Sequence, residues 1–382
     1  MYENNIVVTC HPGIAPVLAE ELKSLGYSPL NVENKSVEVE GDLKDAMRLN
    51  LMLRTANRVL LLVKTLRAPH PDSLYQQVTD IEWENIFHPD GYFTVNSFVI
   101  NDNIKDTRFA NLKVKDGVAD RFLRTSGRRP DSGPETHGTS IFLHWTNDEA
   151  KVYIDTSGET IAKRGYRLQP YKAPMSEPLA AATILAGKWD GKSNFVNPMC
   201  GSGTLAIEAA LIAMNKAPGL TRLRFGFQSL NDYSPLAWNM MRKEALNAVR
   251  EPAKGLRIIA TDHSAMALDA AQDNAEKAGV ADILTFHKCD FRDTVIPENG
   301  GVVMLNPEYG ERLGQLDELE TTYAAIGDFF KKRCQGYTGY IFTGNLDLAK
   351  RIGLKASRRI PFMNGKIDSR LLEYELYSGS KR

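Results

Sequence analysis

A glycine-rich turn between a predicted strand and a predicted helix constrains this chain more than any other sequence feature. The strand covers 193–197, the turn reads Asn-Pro-Met-Cys-Gly-Ser-Gly over 197–203, and the helix covers 204–214. Gly201 and Gly203 permit backbone angles and close approaches that side chains would forbid. The spacing Gly201-x-Gly203-x-x-Ala206 also matches the dinucleotide-binding fingerprint. The pattern therefore indicates either a nucleotide-like ligand at the turn or a plain strand-to-helix connection.

Strands and helices alternate through the second half of the chain. The predicted strands are 193–197, 256–261, 283–287, 301–305 and 338–343, and the predicted helices are 177–187, 204–214, 264–278 and 317–333. Such alternation is typical of an α/β fold with a parallel, doubly wound sheet. Ligands of these sheets bind at the carboxyl ends of the strands, so the residues that follow each strand are candidate site residues.

Three further strands end in polar side chains that suit a nucleoside. Asp262 can accept hydrogen bonds from both hydroxyls of a ribose, although an acid here can also cap the next helix, for which Ser264 is a good N-cap. Asp290 can accept a hydrogen bond from an adenine amino group. Asn306 and Tyr309 follow an apolar strand in an Asn-Pro-Glu-Tyr turn, in which Tyr309 can alternatively serve as packing alone.

Two other nucleotide-binding classes fit this pattern less well. A nicotinamide-dependent oxidoreductase needs an acid about 20 residues beyond the glycines, whereas Asp262 lies beyond an insertion over 217–255. A P-loop needs a lysine directly after its last glycine, and here Thr204 and Leu205 follow Gly203. The oxidoreductase remains a disfavoured alternative.

The first 165 residues predict two smaller α+β units. Residues 1–69 hold predicted strands at 5–9, 36–40 and 59–63 and helices at 14–25 and 42–52. Residues 70–165 hold helices at 73–79 and 109–125 and strands at 93–100, 141–145 and 151–156. A proline-containing linker, 166–178, opens a third domain over 166–382.

Basic residues are concentrated in one stretch although the chain as a whole is neutral. Lys+Arg and Asp+Glu both total 47, which excludes a uniformly basic nucleic-acid binder. Residues 105–130, however, carry eight basic and three acidic residues. The candidate RNA contacts are Arg108, Lys113, Lys115, Arg121, Arg124, Arg128, Arg129, Arg164 and Arg167, with Lys105, Lys163 and Lys172 in the same stretches. A solvated helix face is the alternative interpretation.

These motifs, in this order, resemble class I S-adenosylmethionine-dependent RNA methyltransferases. The branch concerned contains the bacterial 23S rRNA guanine-N2 methyltransferases and was formerly named putative N6-adenine-specific DNA methylase. The resemblance over 172–382 is carried by the glycine turn, Asp262, Asp290, the Asn-Pro-Glu-Tyr turn and an Asn-Gly-Lys-Ile segment at 364–367. Residues 1–165 resemble the same family's ferredoxin-like and THUMP RNA-binding domains.

The resemblance implies a cofactor, a partner and site residues. S-adenosylmethionine is the implied cofactor, and RNA, with 23S rRNA preferred, is the implied partner. The implied cofactor residues are Asn197, Pro198, Cys200, Gly201, Gly203, Thr204, Asp262, His263, Asp290, Phe291 and Asn306. Asn306 and the carbonyl of Pro307 would accept the hydrogens of the target amine, and Tyr309 would stack on the base.

Two residues depart from the family pattern and keep alternatives open. Asn197 stands where the family usually has aspartate, and Glu308 stands where it has a second proline. They suggest a catalytically impaired RNA-binding or ribosome-assembly protein as one alternative. A tRNA guanine-N2 or adenine-N6 methyltransferase is an alternative within the same class of enzyme.

Several other classes of protein are not indicated. No apolar stretch reaches the roughly 18 residues that a membrane span needs, and the N-terminus lacks a signal-peptide pattern. Cys10, Cys200, Cys289 and Cys334 are scattered without metal-ligand spacing. We expect a cytoplasmic protein without metal or membrane partner, either monomeric or weakly dimeric.

Overall fold

The computed structural model of the chain describes residues 2–101, 106–135, 137–168, 174–310 and 316–377. Two compact units are present: Met1–Cys10, Ala19–Ile161 and Arg222–Glu244 form the first, and His11–Leu18, Ala162–Thr221 and Ala245–Arg382 the second. The predicted border at 165 falls close to this division, while the split of the first 165 residues into two domains stays a prediction.

The strands and helices of the N-terminal half alternate irregularly. The strands are β1 (Asn5–Thr9), β2 (Pro29–Val32), β3 (Ser36–Glu40), β4 (Arg58–Arg67), β5 (Tyr92–Ile100), β6 (Asp131–Ser132), β7 (Thr139–Thr146) and β8 (Glu149–Asp155). The helices are α1 (Ala15–Ser24), α2 (Leu43–Met52), α3 (Pro71–Asp80) and α4 (Thr107–Ser126). Of these elements, the short strands β2 and β6 are absent from the sequence-based prediction.

All eight strands of the first unit belong to one sheet with the order β2-β3-β1-β4-β8-β7-β5-β6. Strands β4 and β8, which come from the two predicted N-terminal domains, pair antiparallel over most of their length. Apolar residues alternate toward the helices, as in β1, where Ile6 and Val8 are fully buried. The two predicted α+β units therefore share a single continuous sheet.

The remaining elements build the second unit and one helix of an insertion. The strands are β9 (Asn194–Pro198), β10 (Ile258–Asp262), β11 (Leu284–Lys288), β12 (Gly301–Leu305), β13 (Tyr337–Thr343), β14 (Arg358–Asn364) and β15 (Ile367–Glu375). The helices are α5 (Glu177–Ala186), α6 (Thr204–Ala213), α7 (Pro235–Asn247), α8 (Ala265–Ala278), α9 (Leu316–Arg333) and α10 (Leu346–Arg351).

The sheet of the second unit confirms the predicted doubly wound α/β fold. Its order is β11-β10-β9-β12-β13-β15-β14. The first five strands of this order run parallel, and β15 and β14 add an antiparallel edge. The alternation of strands and helices predicts the five parallel strands to within a few residues, but not the edge hairpin, α7 or α10. The strand order reverses between β9 and β12, so the carboxyl ends of these two strands offer a crevice for a ligand.

Candidate functional site

The glycine turn between β9 and α6 is bent by three left-handed residues. The φ angles are +56° at Met199, +55° at Gly201 and +80° at Gly203. A Cβ on Gly203 would lie 2.9 Å from the Cβ of Ala271, whereas one on Gly201 would meet nothing within 4 Å. The turn therefore needs glycine at 203 for packing, and it leaves the side of Gly201 open to a ligand. The left-handed Met199 is a strained position of the kind that clusters at functional sites.

Asp262 joins the end of β10 to this turn. Its Oδ2 accepts a hydrogen bond of 3.0 Å from the amide of Gly201, and its Oδ1 accepts one of 2.9 Å from the amide of Ser264. Ser264, not Asp262, caps α8 by accepting from the amide of Ala267. The exposed side chain of His263 stands 3.5 Å from the Asp262 carboxylate. The predicted ribose acid is thus held against the glycine turn.

Asp290 follows β11 and is held by a neighbouring arginine. Both nitrogens Nε and Nη2 of Arg292 donate to its carboxylate, at 2.7 and 2.8 Å. This contact keeps the pKa of Asp290 below its usual range, so the carboxylate stays charged. Phe291 packs edge-on against Phe329 with ring centroids 5.9 Å apart. Asp290 can therefore accept a hydrogen bond from a ligand only while its carboxylate also accepts from Arg292.

Two buried amide oxygens lack a donor at the ends of neighbouring strands. Asn197, 1% exposed, donates from Nδ2 to the carbonyl of Met304 at 2.9 Å, which ties β9 to β12. No hydrogen-bond donor in the described part of the chain reaches the Oδ1 of Asn197 or the Oδ1 of Asn306. An unsatisfied buried acceptor costs about 1–3 kcal/mol, so both oxygens are suited to a donor that a ligand supplies.

Tyr309 is held in place after the Asn306-Pro307 turn. The Nδ2 of Asn364 donates to its hydroxyl oxygen at 2.6 Å. Its ring lies beside Gly344, where an added Cβ would come within 3.0 Å of the ring carbon Cε2. Glu308, which lies between Pro307 and Tyr309 in the sequence, is exposed, whereas Pro307 is buried. Residues 311–315, which follow this turn closely, lie outside the described part of the chain.

Comparison with known proteins assigns all three regions. The RMKL-like methyltransferase domain matches residues 164–373, the RlmL ferredoxin-like domain matches 5–60, and the THUMP domain matches 70–155. The chain belongs to the RMKL-like methyltransferase family. The order of its domains is the order that the sequence resemblance predicts.

Individual relatives agree with this assignment. The ribosomal RNA large subunit methyltransferase K/L of Syntrophotalea carbinolica is 37% identical over 96% of this chain and 53% of its own length. That of Allochromatium vinosum is 35% identical over 95% and 50%. The chain therefore spans about half the length of the curated relatives it matches.

Solved structures match this chain over nearly their whole length, unlike the curated relatives. SMU.472, crystallised as a complex with SAH, is 29% identical, with a TM-score of 0.88 over 100% of both chains. A predicted N6-adenine-specific DNA methylase from Listeria monocytogenes is 32% identical, with a TM-score of 0.87 over 97% of this chain and 96% of the other. The fold of both units of this RMKL-like chain is thus found in relatives of the same length.

Arg167, which the sequence predicts as an RNA contact, is hydrogen-bonded to the glycine turn in this RMKL-like chain. Its guanidinium donates to the hydroxyls of Ser202 and Thr204, each at 3.3 Å, and to the carbonyl of Met175 at 3.0 Å. Its Nε lies 3.3 Å from a carboxylate oxygen of Glu177. Arg167 is therefore committed to holding the glycine turn against the start of α5. Sequence reasoning missed this link because no local pattern connects positions 167, 177 and 202.

Asn274 is a second residue that the sequence analysis missed. From α8 it donates to the carbonyl of Ser202 at 3.1 Å and accepts from the amide of Leu168 at 2.9 Å. The side chain is fully buried. An asparagine within a predicted helix gives no signal of such a role, since its partners are set only by the packing of α8 on the turn.

The prediction that Arg164 contacts RNA is wrong for this structure. The residue is 1% exposed and its Nε lies 3.3 Å from the Oε1 of Glu208, which is itself fully buried. The hydroxyl of Tyr166 donates to the same carboxylate oxygen at 3.0 Å. A charged side chain is buried only when it is paired, and Arg164 satisfies that condition inside the protein.

Most of the predicted RNA-binding cations of α4 and its following loop are paired with acids. The pairs are Arg108 with Asp106, Lys113 with Asp72, Arg121 with Glu84, Arg128 with Asp90, and Arg129 with Asp116. Arg124 donates to the carbonyl of Thr79, and among the described residues neither it nor Lys115 forms an ion pair. Lys105 and Lys172 lie outside the described residues. The positive field of this stretch is therefore weaker than its composition suggests.

Arg108 and Lys115 nevertheless face a common cavity in the first unit. The cavity has a volume of about 810 Å³ and is also lined by Asn96, Phe142 and Arg58. Basic and aromatic side chains in one cavity, which Asp155 also lines, offer contacts for both the phosphates and the bases of a single strand. The cavity brings together two of the nine predicted RNA contacts, Arg108 and Lys115.

Three further properties of the described residues bear on function: the reactivity of a thiol, the grouping of metal-binding side chains and the length of apolar helices. Burial raises the pKa of the Cys200 thiol well above its usual range, which leaves it a poor nucleophile. No group of three or more His, Cys, Asp or Glu side chains is placed to hold a metal ion in the part of the chain that the structure describes. Within the same part, no helix is both long and apolar enough to cross a bilayer.

Proposed function

We propose that this chain transfers a methyl group from S-adenosylmethionine to the exocyclic N2 amine of a guanine in 23S rRNA. The observation that carries the proposal is the unpartnered Oδ1 of Asn306, a buried acceptor directly after β12. The names of the curated relatives and the THUMP match support rRNA as the substrate. A ribosomal substrate in turn supports a cytoplasmic location.

The residues at the carboxyl edge of the second sheet fit the cofactor. The open side of Gly201 admits a ligand, Asp262 offers carboxylate oxygens for ribose hydroxyls, and Asp290 offers an acceptor for the adenine amine. The unpartnered Oδ1 of Asn197 suits the amino group at the methionine end. An amide in place of the family's aspartate keeps this acceptor but removes its charge. When bound, S-adenosylmethionine supplies an electrophilic methyl group on its sulfonium.

The chain's own residues would prepare the nucleophile. An exocyclic base amine is weakly nucleophilic because its lone pair is delocalised into the ring. The Oδ1 of Asn306 and the carbonyl of Pro307 accept its two hydrogens, which localises the lone pair on the nitrogen. Tyr309 would stack on the base and fix its plane, which would align the amine with the methyl group that the cofactor supplies.

The first unit would supply most of the RNA affinity. A base within a duplex must be extruded to reach the second unit, at a cost of a few kcal/mol. Contacts from Arg108 and Lys115, which line the cavity, offset that cost through phosphate binding. We further propose that residues 1–69, 70–165 and 166–382 act as ferredoxin-like, THUMP and methyltransferase domains, in a monomer or weak dimer.

Nucleoside analysis tests this function directly. The purified chain and labelled S-adenosylmethionine are incubated with large-subunit rRNA from a strain that lacks the gene, and digested nucleosides are identified by mass spectrometry. We expect N2-methylguanosine with the wild type and a loss of about 100-fold or more with Asn306→Ala, comparable to losing one transition-state hydrogen bond. Asn247→Ala, at an exposed position of α7, is the matched control and should retain the rate.

The other outcomes separate the alternatives. Methylation of tRNA, or formation of N6-methyladenosine, would show that the substrate is a different one. The acceptor pair of Asn306 and Pro307 would stay the same. Cofactor binding without transfer to any RNA, unchanged by Asn306→Ala, would establish the impaired RNA-binding protein. Absence of S-adenosylmethionine binding at millimolar concentration would overturn the proposal.

A further inference from the structure

The hairpin between β14 and β15 lies against the Asn306-to-Tyr309 loop, and the proposed function does not yet use it. Asn364 and Ile367 face each other across a two-residue turn of Gly365 and Lys366. Gly365 has a φ of +62°, which this kind of tight turn requires. The turn therefore fixes the Asn364 side chain on a rigid antiparallel ladder.

The contacts of Tyr309 come from two different elements. Asn364 donates to its hydroxyl at 2.6 Å. Gly344, just after β13, provides a surface without a side chain, since a Cβ there would approach Tyr309 to 3.0 Å and the Cγ2 of Ile367 to 2.5 Å. The ring is thus bounded at its edge by Gly344 and at its hydroxyl by Asn364. Both constraints are fixed by the β13–β15 side of the sheet and not by the loop that carries Tyr309.

We propose that Asn364 is a positioning residue that sets the orientation of Tyr309 for stacking on the target base. The inference rests on the proposed function, in which Tyr309 contacts the base. Asn364 itself touches no reacting atom and acts through the tyrosine hydroxyl.

The sequence of the loop explains why such a contact is needed. A proline at 308 would restrict the backbone φ to about −65°, but this chain has glutamate there. The backbone next to Tyr309 is therefore less restricted, and a tyrosine side chain has two rotatable bonds of its own. A hydrogen bond to the hydroxyl fixes the direction of the Cβ–Cγ axis and therefore χ1. The hydroxyl oxygen lies on that axis, so rotation of the ring about it is limited instead by the close approach of the ring edge to Gly344.

Asn364 could instead only stabilise the hairpin, and a double-mutant cycle separates the two roles. The variants are Asn364→Ala, Tyr309→Phe and their combination, with Asn364→Asp and the exposed turn control Lys366→Gln. Single-turnover methyl transfer, the Kd values for RNA and cofactor, and the melting temperature are measured for each.

A positioning role predicts a specific pattern. Asn364→Ala and Tyr309→Phe should each lower the transfer rate about 10-fold, and the double variant should lose no more than either single variant. Asn364→Asp should retain most of the rate, since the tyrosine hydroxyl can donate to a carboxylate. Both Kd values should stay within about twofold of the wild type, and Lys366→Gln should behave as the wild type in every measurement.

Three results would contradict the positioning role. These are an unchanged rate for Asn364→Ala, losses that add in the double variant, and a rate loss that follows the melting temperature across all variants. A wild type that transfers methyl normally alongside any of these results leaves the proposed function intact. A wild type that transfers no methyl group would overturn the proposed function and this inference together.

Discussion

The carboxylate of Asp262 accepts a hydrogen bond of 3.0 Å from the amide of Gly201, although 61 residues separate the two in the chain. This bond places an acid against the open side of the glycine turn, where a ribose would lie. Asp262→Ala should weaken S-adenosylmethionine binding about 10- to 100-fold, as expected for the loss of charged hydrogen bonds worth about 1.5–3 kcal/mol. Calorimetric titration measures the Kd. Asp273→Ala, at an exposed position of α8, should leave it unchanged, and equal affinities for the two variants would exclude a ribose contact.

Arg167 should influence cofactor binding rather than RNA binding. Its guanidinium holds Ser202, Thr204 and Glu177 together. Arg167→Met should therefore raise the Kd for S-adenosylmethionine about 10-fold, which is about 1.4 kcal/mol, because the turn loses its fixed shape. The same variant should bind RNA, measured by fluorescence anisotropy without cofactor, like the wild type. The opposite pattern, weaker RNA binding with an unchanged cofactor Kd, would restore the RNA contact predicted from sequence.

Arg164 should be a stability residue. Its partner Glu208 is 0% exposed, so removing the Arg164 charge takes a cation away from a carboxylate that stays buried. We expect Arg164→Met to lower the free energy of unfolding by about 3–5 kcal/mol in urea titration. Lys163→Met, at the exposed neighbouring position, should change it by less than about 0.5 kcal/mol. A fully stable Arg164→Met variant with weakened RNA binding would show that the arginine is reached by RNA after all.

The ion pair of Arg58 with Asp155 should make the stability of an Arg58 variant depend on pH. Burial raises the pKa of Asp155, and the adjacent Arg58 guanidinium opposes that rise. In Arg58→Met the pKa rises further, so the folded state keeps a proton that the unfolded state releases. Stability must then fall as pH rises above the ordinary carboxyl pKa of about 3.9.

The destabilisation caused by Arg58→Met should be largest near neutral pH and smallest at about pH 4. Its size should stay below the roughly 3–5 kcal/mol of fully buried pairs, since the Arg58 side chain is 39% exposed. Urea titrations of the variant and the wild type at both pH values provide the measurement. A loss of the same size at both would mean that Asp155 does not titrate in this range.

Lys115 should contribute to RNA affinity more than its paired neighbours do. It lines the cavity of the first unit without an acid partner among the residues that the structure describes. Lys115→Ala should weaken RNA binding about 3- to 10-fold at low salt and reduce the slope of log K against log salt concentration by about 1. Lys332→Ala, whose lysine pairs with Asp328 on α9, should leave the slope unchanged. An unchanged slope for Lys115→Ala would place the RNA elsewhere.

The sequence predicts the second sheet well because its signals are local. Short strands that alternate with helices along the chain specify a parallel sheet, and Gly201 and Gly203 mark the turn before α6. The edge hairpin and α7 are missed because strands β14 and β15 come after the last strand–helix repeat and α7 lies in an insertion. The shared sheet of the first unit is missed because pairing of β4 with β8 joins residues about 90 apart.

The candidate site divides in the same way between local and long-range information. The sequence by itself determined the doubly wound fold, the order of the polar strand ends and the residue types at positions 197, 262, 290, 306 and 309. Only the tertiary structure decided that Arg164 is buried with Glu208 and that Arg167 holds the glycine turn. It also decided that Asn364 reaches Tyr309. The physical reason is that a side chain's burial and charge partner depend on which distant element packs against it, and residue type and spacing do not record that packing.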